Sequence, residues 1–325
     1  MREHKTTSFL HEIQPEDYDR FGGKAANLAR LHRAGFRIPQ GFAIACDCFS
    51  QFLDDTPDAI KLIQQIEITQ DIEDVLSLSL DLEILGNSYE IPRDLATEIE
   101  NTFSELSDNL GVLDVGFSVR SSANVEDGKK VSFAGQAESF LCVRERDILN
   151  AVSKTWKSLL TTNSIMYLQT MGIPLSQVRM GVIVQEMINA DISGVMFTAN
   201  VVNNNLDQII IESIWGIGEA LVSGKATPDT YLLDKTPLTL TKKSLGYKEV
   251  YSAPSGSSDM GGTEFLTTPE ERRALFTLDD DDLLRVANLG LEIEQKLGTY
   301  QDIEWSIQNG ELVILQSRPI TTLNQ

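Results

Sequence analysis

Apolar residues recur every three or four positions in the first half of the chain. Leu95, Ile99, Phe103 and Leu106 follow Pro92, and Ile148, Val152, Trp156, Leu159 and Leu160 follow Asp147. That period puts each set on one face of an amphipathic helix. Runs rich in β-branched residues at 116–121, 181–188, 208–212 and 303–316 predict strands, the last interrupted by Asn309-Gly310 as a turn. Helical and strand signals interleave, so the pattern predicts an α+β fold. Residues 253–268 are rich in Ser, Gly and Thr and read as an exposed loop. The acids Asp279, Asp280, Asp281 and Asp282 stand directly before an apolar period from Leu283 to Leu297. Carboxylates there favour a helix N-terminus through the dipole, so capping and solvation explain them better than a metal site.

At 325 residues the chain exceeds what one compact core usually holds, which predicts two lobes. Charge then narrows the function. There are 48 acidic and 27 basic residues, a formal net charge of −21. Such a surface disfavours nucleic acid and anionic membranes as partners, because phosphate contacts need clustered cations. A polyphosphate ligand would have to be met by a few local cations and backbone amides. The three cysteines, Cys46, Cys48 and Cys142, lack zinc-knuckle spacing and read as structural thiols. No apolar run follows the charged first residues, so neither a signal peptide nor a membrane span is expected and a cytoplasmic protein is inferred.

Three segments carry candidate chemistry. In Gly22-Gly23-Lys24-Ala25-Ala26-Asn27-Leu28, two glycines open a helix that closes by Gly35 and Pro39. They allow a phosphate to approach helical amides, and Lys24 adds a point charge. A Walker-type Gly-Lys-Ser/Thr is absent, and Gly-Gly before a helix is common. In the second segment, a strand delivers Arg120 to its end within Ser118-Val119-Arg120-Ser121-Ser122, followed by a glycine-containing stretch with Lys129 and Lys130 that suits a flap over phosphates. The two lysines would offset the repulsive field that a polyphosphate meets; solvated loop charges without a role are the competing reading. The third is the C-terminal hairpin, where Asp302 and Glu304 share one face of their strand and Gln316 and Arg318 likewise share one face of theirs. A carboxylate beside an amide and a guanidinium can hold Mg²⁺ and neutralise phosphates; an edge hairpin with a surface salt bridge is the alternative.

The blocks GGKAANLARL with RIPQGFAI, SVRSSANVED with SFAGQAESFLCV, VIVQEMINADISGVMFT, ESIWGIGEALVSGKATPDTY, and DIEWSI with LVILQSRPIT run in order over about residues 14–322. In that order they resemble the nucleotide-binding domain shared by phosphoenolpyruvate synthase, pyruvate phosphate dikinase and rifampicin phosphotransferase. The resemblance implies an ATP-grasp fold of two lobes around a nucleotide cleft, divided as 1–187 and 188–325, that takes ATP and Mg²⁺. It implies that ATP is cleaved to AMP and phosphate while the β-phosphate passes to a histidine. By the same resemblance Lys24 and Arg120 contact phosphates, and Gly135 and Ser139 belong to the phosphate and adenine-side wall. Gln185, Glu186 and Met187 form the adenine hinge, Glu304 and Gln316 bind metal, and Arg318 lies beside the phosphates. Phosphoryl transfer fits such a set, since it needs positioning and charge neutralisation more than covalent chemistry.

The chain also departs from the family pattern. Asn200-Val201 stands where the family usually has Asp-Pro, and Asn203-Asn204-Asn205 where it has a turn glycine; Tyr300 replaces the usual Pro before Gln301. The only histidines are His4, His11 and His32, none in the Thr-Ser-His setting of the carrier domain. The phosphate is therefore expected to go to a histidine on a separate carrier domain or protein. A regulatory nucleotide-binding module without turnover would not need the metal and transfer groups together, and an ATP-grasp ligase would share the fold without these blocks.

Strand parity tests the metal assignment. A two-residue Asn309-Gly310 turn pairs Gln308 with Glu311 and sets Glu304 opposite Leu315, which splits Glu304 and Gln316 across the sheet. A three-residue loop with Gly310 left-handed pairs Ile307 with Glu311 and Glu304 with Ile314, bringing Glu304 diagonal to Gln316. The chemistry therefore predicts the odd loop, with both ligands on one face.

Overall fold

The computed structural model describes residues 5–54, 57–111, 113–124, 138–255 and 260–323. Their contacts divide the chain into two compact units, Met1–Ala29 with Gln40–Met187, and Arg30–Pro39 with Ile188–Gln325. Arg30–Pro39 thus groups with the second unit, not with the first lobe in which its sequence position puts it.

The first unit runs β1 (Thr7–Phe9), α1 (Tyr18–Phe21), α2 (Gly23–Arg33, which continues into the second unit), β2 (Gly41–Ile44), α3 (Asp47–Asp54), α4 (Pro57–Ile68), α5 (Ile72–Asn87) and α6 (Arg93–Leu110). It continues with β3 (Phe117–Ala123), β4 (Ser139–Val143), α7 (Ile148–Ser158), α8 (Thr162–Thr170) and β5 (Met180–Glu186). The strands form an antiparallel sheet in the order β1-β2-β5-β3-β4. Val182, Ile183 and Val184 are all buried because β5 lies at the sheet centre, covered on both faces. The predicted helical periods are α6 and α7. Leu95, Ile99 and Leu106 bury the α6 face, and Phe103 meets Phe117 edge-on with centroids 4.8 Å apart. In α7 the fully buried Trp156 donates from Nε1 to the Met180 carbonyl at 3.1 Å. All three cysteines are buried, and burial pushes the Cys48 thiol up to about 12, which suits a structural role.

The second unit runs β6 (Ile192–Phe197), β7 (Gln208–Trp215), α9 (Glu219–Val222), β8 (Asp229–Lys235), β9 (Leu238–Ser244), β10 (Val250–Pro254) and β11 (Thr263–Thr267). It ends with α10 (Glu270–Arg273), α11 (Asp280–Leu297), β12 (Gln301–Gln308) and β13 (Glu311–Pro319). Six strands form an antiparallel sheet in the order β13-β12-β6-β7-β8-β9, and β10 pairs β11 separately. On its core side Met196, Ile209, Ile211, Ile303 and Trp305 are buried, as are Val286, Ala287 and Ile293 of α11. Asp279 caps α11 by accepting from the Asp282 amide at 2.8 Å, as the acid run predicts.

One buried ion pair fastens this unit. Lys248 Nζ donates to Asp229 Oδ1 at 2.5 Å, with both side chains almost fully buried. Asp229 also accepts from the Gly246 amide at 2.7 Å, the Thr277 amide at 2.8 Å and the Thr277 hydroxyl at 3.0 Å. It therefore ties two separated segments, one at Gly246–Lys248 and one at Thr277, to the start of β8.

Two expectations need correction. Residues 253–268 are not one loop: their ends lie in β10 and β11, which pair from Val250↔Thr267 to Pro254↔Thr263. Ser and Thr sit well on a partly buried two-stranded ladder, so composition alone hid the strands. The C-terminal hairpin has no three-residue loop. Gln308 pairs directly with Glu311, and Asn309 and Gly310 take φ of 52° and 77°, as a tight two-residue turn demands. A bulge then shifts the register between Glu304 and Trp305: Trp305 pairs with Ile314, but Glu304 pairs with Gln316. Leu315 is the extra residue. The expected shared face arises through the strand and not through the turn.

The asparagine substitutions noted in the sequence build their own turn. Asn200 Oδ1 accepts from the Val202 amide at 3.1 Å, and Asn204 supplies the positive φ of 56° that a glycine would otherwise take.

Candidate functional site

The first unit gathers its candidates at the end of β3. Gly22, with φ of 80°, passes so close to the strand that an added Cβ would lie 2.0 Å from the Ser122 carbonyl oxygen. Only glycine fits, and the contact sets the start of α2 against β3. Ser122 Oγ accepts from the Ala25 amide at 3.1 Å, and Lys24 Nζ donates to Ser121 Oγ at 3.3 Å. Lys24 is thus brought to the residue that follows Arg120. Arg120 pairs with Ser139 on β4 and Ile183 on β5, while Ser118 pairs with Gln185. Directly paired residues and residues two apart share a face, so Arg120, Ser139 and Gln185 line one side of the sheet.

Of the three residues expected at the hinge, Gln185 and Glu186 end β5 and Met187 follows it. Gln185 is buried and Glu186 turns its carboxylate to the Gln40 amide at 2.8 Å. The Glu186 and Met187 amides are already donated to the Gln40 and Gly116 carbonyls at 2.9 and 3.1 Å. A purine edge there would not receive these two N–H groups. Gly135, Lys129 and Lys130 lie outside the described residues.

In the second unit, Glu304 and Gln316 stand directly opposite each other, and Asp302 stands opposite Arg318 on the same face. Arg318 donates from Nε to Asp302 Oδ2 at 2.9 Å and holds Nη2 at the same distance. Burial pushes the Asp302 carboxyl above its ordinary range, Arg318 pulls it back, and Glu304 adds to the rise. Continuing the row from Glu304 leads through Val195 on β6 to Glu212 on β7, roughly 10 Å away across two strand spacings. Burial raises the Glu212 carboxyl. Sequence reading missed Glu212 because a single acid at the end of an apolar strand looks like an edge residue; its signal was the run Ile209-Ile210-Ile211 directly before it.

Among the described residues no group of three or more His, Cys, Asp or Glu could hold a metal ion. The Glu304–Gln316 pair offers two hard oxygen donors, a set that fits Mg²⁺ better than zinc. Magnesium is typically bound by one or two carboxylates together with substrate phosphates and waters. No helix of the described residues is long and apolar enough to cross a membrane.

Residues 18–325 match the family model described as pyruvate phosphate dikinase, AMP/ATP-binding domain. The chain belongs to this family. Over 325 residues it is 35% identical to a probable phosphoenolpyruvate synthase of Methanothermobacter thermautotrophicus, covering 99% of this chain and 47% of that protein. It is 32% identical over 324 residues to rifampicin phosphotransferase of Bacillus subtilis, covering 97% of this chain and 36% of the relative. The chain thus spans less than half the length of these relatives. Among solved structures, D-alanine–D-alanine ligase from Helicobacter pylori aligns over 69% of this chain and 48% of that one, with 8% identity and a TM-score of 0.31. That likeness is too slight to define the fold.

Proposed function

We propose that the chain is the ATP-binding part of a dikinase-type phosphotransferase with an ATP-grasp fold. It would cleave ATP to AMP and phosphate and pass the β-phosphate to a histidine on a separate carrier domain or protein. The observation that carries this reading is the pairing of Glu304 with Gln316 and of Asp302 with Arg318 on one face, in a chain of the pyruvate phosphate dikinase AMP/ATP-binding family.

In this reading Lys24 and Arg120 neutralise and orient the phosphates, with Ser121 and Ser122 setting the helix start from which Lys24 projects. Arg318, held by Asp302, supplies a planar fork for a phosphoryl oxygen. Gln185, Glu186 and Met187 form the adenine hinge through groups other than the two engaged amides, and Ser139 belongs to the adjoining wall. Glu304 and Gln316 would hold Mg²⁺. Bound there, the ion would neutralise charge on the phosphate oxygens. Fixed groups of this kind act where charge develops and need no reorganisation during the reaction.

The test supplies the purified chain with ATP and Mg²⁺, with and without the histidine-carrier domain of a phosphoenolpyruvate synthase. The expected result is ATP binding with slow turnover alone, and AMP, phosphate and acid-labile phosphocarrier when the carrier is added. ADP as the nucleotide product, or brisk AMP formation by the chain alone, would overturn the reading.

A further inference from the structure

A helix on the surface of a domain normally shows one apolar stripe to the core and polar residues elsewhere. The helix α5 departs from this. Its inward side buries Val75, Ser79, Leu82 and Gly86. A second apolar row, Ile72, Leu76, Leu80 and Ile84, faces outward with exposures of 68%, 45%, 48% and 70%. Residues four apart lie on one side of a helix, so the row runs roughly 18 Å along the surface at 1.5 Å per residue. Single exposed apolar residues are ordinary, but a regular row on a helix that is apolar on two sides marks a face that is covered in use.

Charge identifies the kind of cover. From Asp71 to Asn87 the chain carries Asp71, Glu73, Asp74, Asp81 and Glu83 and no Lys, Arg or His. The row also opens at Leu80 onto a polar cavity lined by Glu83, Glu138, Ser158, Thr161 and Asn163. Glu83 already holds the start of α8 through the Thr162 amide at 2.8 Å and hydroxyl at 2.7 Å, which fixes its carboxylate at the cavity wall. A second copy of this face would set acids against acids, and an anionic lipid surface would be repelled in the same way. We propose that the outward face of α5 docks a basic amphipathic helix of a partner protein. Its apolar residues at four-residue spacing lie along Ile72, Leu76, Leu80 and Ile84, and a Lys or Arg head enters the cavity beside Glu83 and Glu138. The partner helix packs alongside α5, with electrostatic complementarity selecting it.

The test uses a fluorescein-labelled synthetic peptide of about five helical turns, with Leu at every fourth position and Lys or Arg between. A control peptide of identical composition spreads the Leu residues around the helix. Fluorescence anisotropy against the full chain should show the control binding about tenfold or more weakly. The double variant Leu76→Ser/Leu80→Ser should lose about tenfold in affinity with an unchanged thermal midpoint. Should that midpoint shift, Ile72→Ser/Ile84→Ser, at the two most exposed positions of the row, carries the same expectation. The variant Glu73→Gln/Asp81→Asn should weaken binding at low salt and flatten its salt dependence. Equal affinity for the two peptides, or no binding, would overturn the proposal. So would dimerisation in sedimentation, or attachment to phosphatidylserine vesicles, that the Leu76→Ser/Leu80→Ser variant abolishes.

Discussion

Replacing Glu304 with Ala is expected to reduce carrier-dependent AMP formation by about 10²–10³-fold, the loss typical when one preorganised electrostatic stabiliser is removed. The side chain lies in the middle of β12, directly across from Gln316, and Ile303 and Trp305 on either side of it are buried on the other face. The β12 core face is thus untouched by the change, and the thermal midpoint should stay close to that of the parent. Binding of ATP without magnesium should also change little, while the magnesium-dependent increment in affinity should disappear. Gln316→Ala should show a smaller loss in both, because a neutral amide oxygen is a weaker donor to a hard cation than a carboxylate. Unaltered AMP formation by Glu304→Ala would remove this carboxylate from the metal assignment.

The largest effect on stability is expected at Asp229. Truncation to Ala leaves the Lys248 ammonium buried without its counter-charge, and strips acceptors from Gly246 and Thr277. Breaking a buried pair on one side typically destabilises by about 3–5 kcal/mol. The urea midpoint should fall correspondingly. The double variant Asp229→Leu/Lys248→Met should recover much of the loss, since replacing both charges by apolar groups removes the unpaired ammonium. A single variant as stable as the parent would show that Lys248 finds another arrangement.

How far the sequence could be read depended on whether a feature is local. The period of α6 and α7, the run of β5 and the Asp279 cap are each dictated within a few residues, and each was legible. The strands β10 and β11 were not, because Ser, Gly and Thr weaken the alternation that marks a ladder, and only pairing across the hairpin reveals it. At the candidate site, Lys24, Arg120, Glu304 and Gln316 could be picked out by residue type and block order. Their supports could not: Ser122 is nearly a hundred residues from the helix start it holds, and Glu212 joins the row of Glu304 only through the intervening strand β6. The hairpin shows the same limit most plainly, since Asn309-Gly310 correctly announces a two-residue turn and says nothing about a bulge five residues further on.

That bulge makes the chain's tolerance of length changes one-sided. Counting from the turn, Glu304 is four residues before Gln308 and Gln316 is five after Glu311, so β13 carries one residue in reserve. A single deletion between Glu311 and Leu315 can consume that reserve: the ladder becomes regular and Glu304 still faces Gln316. A single insertion in the same stretch has nothing to consume: with the bulge kept it carries Gln316 opposite Ile303 on the other face, with a regular ladder it carries Gln316 opposite Asp302, two residues from its partner, and only a second extra residue in β13 restores the pair. Deletion variants in this arm should therefore retain magnesium-dependent ATP binding where insertion variants lose it.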